Sequence, residues 1–220
     1  MKRQVSLDEI SDGRLYDRHD MVRIGCGGCR GCSDCCHGMG KSAILDPMDV
    51  YRLGQGTGLS MDALLADKLE LNVVDGIILP NLAMNRENDA CGFLNEEGRC
   101  SVHPFRPGVC RLFPLGRYYT AESFRYFVQS GECSAPNKTK VRIERWLDQP
   151  ELVRYEQYIV KWHGLLERAE TFVAGEAGED EIKNLNLFLL RLFFMKPYDL
   201  TQDFYEQFEE RLELAKTLFQ

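Results

Sequence analysis

Five cysteines crowd the stretch Cys26-Gly-Gly-Cys29-Arg-Gly-Cys32-Ser-Asp-Cys35-Cys36. Gly25, Gly27, Gly28, Gly31, Gly38 and Gly40 lie within and around it. Glycine lets a backbone take positive φ and approach a metal closely, so this stretch predicts a tightly folded loop. Four more cysteines follow at Cys91, Cys100, Cys110 and Cys133, and none comes later in the 220 residues. Such clustering points to metal ligation rather than packing.

Bulk properties narrow the setting. Hydrophobic residues make up 44% and charged residues 28%, a globular balance with apolar material for a core. The net charge of −7 disfavours a broad cationic nucleic-acid surface. The first residues lack the apolar region of a signal peptide. The most apolar run, Leu185 to Met195, is broken by Asn186 and Arg191 and is too short to span a bilayer. The expectation is a cytoplasmic protein with no membrane association, in a compartment that keeps thiols reduced. Clustered, closely spaced cysteines then read as ligands, not as a disulfide framework.

The pattern along the chain predicts an α+β protein. A small cysteine-rich metal-binding core with short hairpins and helices occupies residues 1–146, and a C-terminal bundle of about three helices, residues 147–220, packs on it. Asp46-Pro47 has the chemistry of an N-cap followed by proline at the first helical position, with the helix reaching about Leu53. The run Gly54 to Gly58 ends it, and Ser60 caps a second helix to about Leu69. Asp75-Gly76 sits inside the β-branched run Asn72 to Leu82, a hairpin signature. Tyr118 to Gln129 suggests another strand pair. Residues 85–135 lack helical periodicity and are expected to wrap the metal site. Apolar residues at helical spacing predict helices over 150–173, 180–195 and 201–219, the last capped by Thr201.

The knot supports two ligand registers. One is Cys29-x2-Cys32-x2-Cys35-Cys36; the other is Cys26-x2-Cys29-x2-Cys32-x3-Cys36, the spacing of a bacterial ferredoxin run with His37 in place of proline. Cys-x2-Cys brings two thiolates onto one metal, so either register builds a site. On an extended backbone, adjacent Cys35 and Cys36 would point apart, predicting that only one serves the primary site.

These motifs, with Cys91-x-Phe-Leu, Gly98-x-Cys100-x-x-His103-Pro-x-Arg106-Pro-x-x-Cys110-Arg111 and a late Cys133, resemble the YkgJ-like CxxCxxCC cysteine-cluster family. The resemblance spans about residues 25–135, and that family is described as zinc- or iron-chelating. It implies eight metal-associated cysteines: Cys29, Cys32, Cys35, Cys36, Cys91, Cys100, Cys110 and Cys133. Cys26 falls outside the pattern as a spare or alternative ligand. Some relatives with the motif resemble flagellin lysine methylases, while the role of the family is poorly defined.

The remaining candidates have modest readings. His37 reads as a hydrogen-bond donor to a cluster sulfur or a loop residue. His103, at the head of His103-Pro-x-Arg106-Pro, reads as a structural hydrogen-bonding group. Arg106 and Arg111 flank Cys110 and read as charge compensation for thiolates. No phosphate loop, Rossmann fingerprint or His-Glu-x-x-His is present. The favoured reading is an iron–sulfur protein, oxidoreductase-like, that transfers electrons or senses redox state for an unknown protein partner. The alternative is a zinc-binding structural module without catalysis; a cluster-containing protein-modifying enzyme of the lysine-methylase kind is the weaker third.

Overall fold

In the computed structural model, which describes residues 6–27 and 32–219, helices alternate with two-stranded antiparallel sheets in an α+β fold. The elements in order are α1 (Leu7–Ile10), β1 (Met21–Gly25), α2 (Pro47–Thr57), α3 (Met61–Asp67), β2 (Leu69–Val74) and β3 (Ile77–Leu82). There follow α4 (Gly108–Leu112), β4 (Leu115–Tyr119), β5 (Phe124–Val128), β6 (Thr139–Arg142) and α5 (Ile143–Leu147). The long helices α6 (Leu152–Ala174), α7 (Glu179–Leu190) and α8 (Phe204–Lys216) complete the chain.

Local chemistry explains the better-defined boundaries. Asp46 accepts the Asp49 amide while the Asp49 side chain accepts the Asp46 amide, a reciprocal capping box with Pro47 at the first turn. Helix α2 then runs a turn past the expected stop, through Gly54 and Gly56, to Gly58 at φ 70°. Gly56 is tolerated because Phe105 packs on it; an added Cβ would lie 2.5 Å from that ring. The Asp75-Gly76 hairpin forms as the sequence predicts. Both turn residues have positive φ (50° and 83°), as a type I′ turn demands, and Val74 faces Ile77. Asn186 of α7 clamps it, accepting the Ile78 amide at 2.6 Å and donating to the Gly76 carbonyl at 3.0 Å.

Two sequence expectations are corrected. Helix α8 is capped by Asp203, which accepts the Glu206 amide, and not by Thr201. Thr201 instead donates both its amide and its hydroxyl to Asp199 in the preceding turn. The segment expected as a helix over 180–195 does not stay α-helical to Met195; residues Arg191–Met195 form a π-helical turn.

The largest buried apolar cluster joins the two halves of the chain. Leu45, Leu53, Leu64 and Leu79 share it with Tyr158, Trp162, Phe193 and Phe208. Tyr158 seats its ring on Phe208, centroids 4.6 Å apart, and its hydroxyl accepts the Met48 amide at 3.1 Å. A second cluster, Val22, Ile24, Leu112, Leu115, Tyr126, Ile143 and Leu147, lies under β1, β6 and the β4–β5 pair. It fixes one wall of the site described next.

Candidate metal centre

Three backbone devices bring the cysteines together. Residues 36–38 pair with 89–91: the Cys91 amide donates to the Cys36 carbonyl at 2.7 Å, and the Gly38 amide donates to the Asp89 carbonyl at 3.0 Å. Leu94 and Cys100 form a second bridge, closing a tight loop between Cys91 and Cys100. Pairing of β1 with β6 draws Cys26 toward the Cys133 loop, and Ser134 hydrogen-bonds Asp34 across that gap. Cys110 rides on α4, whose first amide, on Gly108, donates to buried Asp49 at 2.6 Å.

The result is one cavity of about 950 Å³. Cys26, Cys32, Cys35, Cys36, Cys91, Cys100, Cys110 and Cys133 all line it, while Cys29 lies outside the described residues. Cys32, Cys35, Cys36, Cys91, Cys100, Cys110 and Cys133 carry free thiols. Cys26, the outsider by sequence pattern, shares the cavity wall with the others.

The vicinal pair departs from expectation. Residues Asp34–Cys36 form a 3-10 turn rather than an extended segment, so Cys35 and Cys36 both reach the cavity instead of diverging. A hydrogen bond from the Cys36 thiol, outweighing burial, holds Cys35 at about 7. The same contact, followed by burial, pushes Cys36 far above the thiol range. The pair titrates as a unit.

Electrostatic reach defines an inner group. The Cys36 thiol feels Cys35, Cys91 and Cys110, and the Cys110 thiol feels Cys91, Cys35 and Cys100. Burial raises Cys110, Cys91 and Cys100. Against burial, the Phe93 amide points at the Cys91 sulfur and the Val102 amide at the Cys100 sulfur, and both favour thiolate. Soft sulfur donors with amide hydrogen bonds match the chemistry of zinc or an iron–sulfur cluster. Among the described residues, no three Cys, His, Asp or Glu side chains yet converge at ligand positions. The donor type fits a thiophilic metal such as zinc or iron.

The flanking residues divide by role. Arg106 lowers both Cys35 and Cys100 toward thiolate, the charge compensation the sequence suggests. Arg111 serves differently: buried, it donates to the carbonyls of Pro104 and Asp148, each at 2.6 Å, and of Arg106 at 3.2 Å. It staples the loop around Cys110. His103 lines the cavity, and partial burial, then Arg106, lowers its pKa. His37 is exposed and contributes backbone pairing to Ala90.

Sequence reasoning missed Arg99, Lys140, Arg142, Arg145, Phe113 and Trp146, all on the cavity wall. The alternation Lys138-Thr-Lys140-Val-Arg142 was the available signal, a strand face of one charge.

A thiol-lined cavity assembled by backbone pairing from two separate cysteine motifs defines a metal-chelating domain. Residues 28–134 match the family model CxxCxxCC, whose description reads "Putative zinc- or iron-chelating domain". Neither the curated proteins nor the solved structures gave a match. Among the described residues, no helix is long and apolar enough to cross a membrane.

Proposed function

We propose that the cavity holds an iron–sulfur cluster and that the protein transfers electrons to, or senses redox state for, a protein partner. Cys35, Cys36, Cys91, Cys100 and Cys110 form the inner donor set, with Cys29, Cys32 and Cys133 completing the eight that the motif supplies. The observation that supports this reading is the convergence of thiols from both motifs on one cavity with amides aimed at two sulfurs. Amide hydrogen bonds to sulfur and partial burial are the levers that set a cluster's potential. When bound, such a cluster supplies one-electron chemistry. The protein's own contribution is to hold the donors, shield them and offset their charge through Arg106.

A dithionite titration of anaerobically isolated protein, followed by electron paramagnetic resonance, tests the redox role. A reversible one-electron signal, lost in Cys110→Ser, is expected. Absence of any reducible signal from protein carrying stoichiometric zinc overturns it in favour of a zinc-binding structural module.

A further inference from the structure

We propose that the cavity also admits an anionic small molecule with an apolar body, its acidic group held at a cationic mouth beside the thiols. This rests on the metal-centre reading only for what fills the thiol end. A tetrahedral zinc–thiolate site needs sulfurs only about 2.3 Å from the metal. A space of about 950 Å³ far exceeds that and matches the upper range of small-molecule pockets.

Charge around the cavity runs against the whole chain. The protein has a net charge of −7, yet Arg99, Arg106, Arg111, Lys140, Arg142 and Arg145 line the wall against only Asp34 and Glu144. The cations that act most on the thiols are Arg106 and, at Cys91, Lys68. The Arg111 guanidinium is committed to three carbonyls. Arg99, Lys140, Arg142 and Arg145 are exposed, at the solvent side of the cavity.

The β1–β6 ribbon gives an independent indication. Lys140 and Arg142 leave the same face of β6, and Arg23 of β1 stands directly opposite Lys140. Like charges facing across an antiparallel pair are destabilising. Among the described residues, Glu144, 3.2 Å from Arg142, is the carboxylate that offsets this face, while Arg23 donates to the Lys138 carbonyl at 3.2 Å. A ribbon that concentrates repelling cations beside a cavity suits an anion. Trp146, fixed by its indole donation to the Phe113 carbonyl at 3.1 Å, and Phe113 supply the apolar wall for the body of the ligand.

The test compares 8-anilinonaphthalene-1-sulfonate with its uncharged relative N-phenyl-1-naphthylamine, binding to the protein as isolated with its metal content measured. The sulfonate is expected to bind tighter and to weaken about five- to tenfold in Arg142→Glu and Arg145→Glu. The neutral probe should not change, nor should sulfonate binding in the control Lys183→Glu, at an exposed position of α7. Equal affinity for both probes overturns the proposal, as does an equal loss in the Lys183→Glu control. Loss of metal in the rim variants, with probe binding unchanged, assigns the rim to thiolate compensation and also overturns it. Wild-type protein that lacks metal but retains sulfonate selectivity would defeat the metal reading and leave this one standing.

Discussion

The Asp49 carboxylate accepts the Gly108 amide at 2.6 Å, tying the start of α2 to the short helix that carries Cys110. Its other oxygen accepts the Asp46 amide at 3.0 Å. A residue that reads in sequence as part of a helix cap is thus also a long-range anchor for the metal centre. Asp49→Ala leaves two amides without their acceptor, destabilising the fold by about 1–3 kcal/mol for each that stays unpaired. Urea unfolding measures this, and an unchanged midpoint would refute the anchor.

The same carboxylate makes stability depend on pH. Burial, then the neighbouring Asp46 carboxylate, pushes Asp49 from its ordinary 3.8 up to about 7. Burial also raises Asp46. Between these values the unfolded chain has released a proton that the folded chain keeps. The contribution of Asp49 is therefore full below about 4, falls as pH rises toward about 7, and levels above it. Asp49→Asn does not titrate at this position and should flatten that dependence in urea titrations at about pH 5 and about pH 8. An identical slope in wild type and variant would contradict the assignment.

Gly108 has no room for a side chain. An added Cβ would lie 2.3 Å from the hydroxyl of buried Tyr155 and 3.4 Å from Asp49. Gly108→Ala should destabilise by about 1–3 kcal/mol through overpacking and shift Cys110. Thermal melting and bound metal per chain are expected to fall together. A lower melting temperature with full metal retention would uncouple the two.

Much of the framework was legible because its signals are local. Asp46-Pro47 caps a helix and Asp75-Gly76 turns a hairpin through chemistry contained within a few residues. The pairing of β1 with β6 was not legible, since Met21 and Arg142 meet only after the cysteine-rich half closes. The direction of Cys35 and Cys36 was not legible, because vicinal side chains diverge on an extended backbone but not on the 3-10 turn that forms here. Thr201 lost the cap to Asp203 because its own donors are taken by Asp199. The clustering of the cysteines that line the cavity was visible in the sequence. The cationic mouth was not, because Arg99 and Arg142 come from separate segments.

Phe208 is fully buried against Tyr158 and Trp162, within the cluster that joins α8 to Leu45 and Leu53. Phe208→Ala should cost about 3–5 kcal/mol. The loss should appear in guanidinium unfolding as one cooperative transition for both halves. Two separated transitions would show that the C-terminal helices fold independently of the cysteine-rich half.

Substitution of an inner thiol should release metal, whereas Cys26→Ser should retain it if the motif's own eight cysteines make up the ligand set. Cys110→Ser is expected to lower metal affinity at least about tenfold and, through the coupling of binding to folding, the melting temperature as well. Full metal content in Cys110→Ser would remove it from the donor set.

Metal, iron and acid-labile sulfide analysis of anaerobically isolated protein, with its absorption spectrum, tests the central claim most directly. The iron–sulfur reading expects a brown protein absorbing near about 400 nm with matching iron and sulfide. A colourless protein with stoichiometric zinc and no sulfide would contradict it.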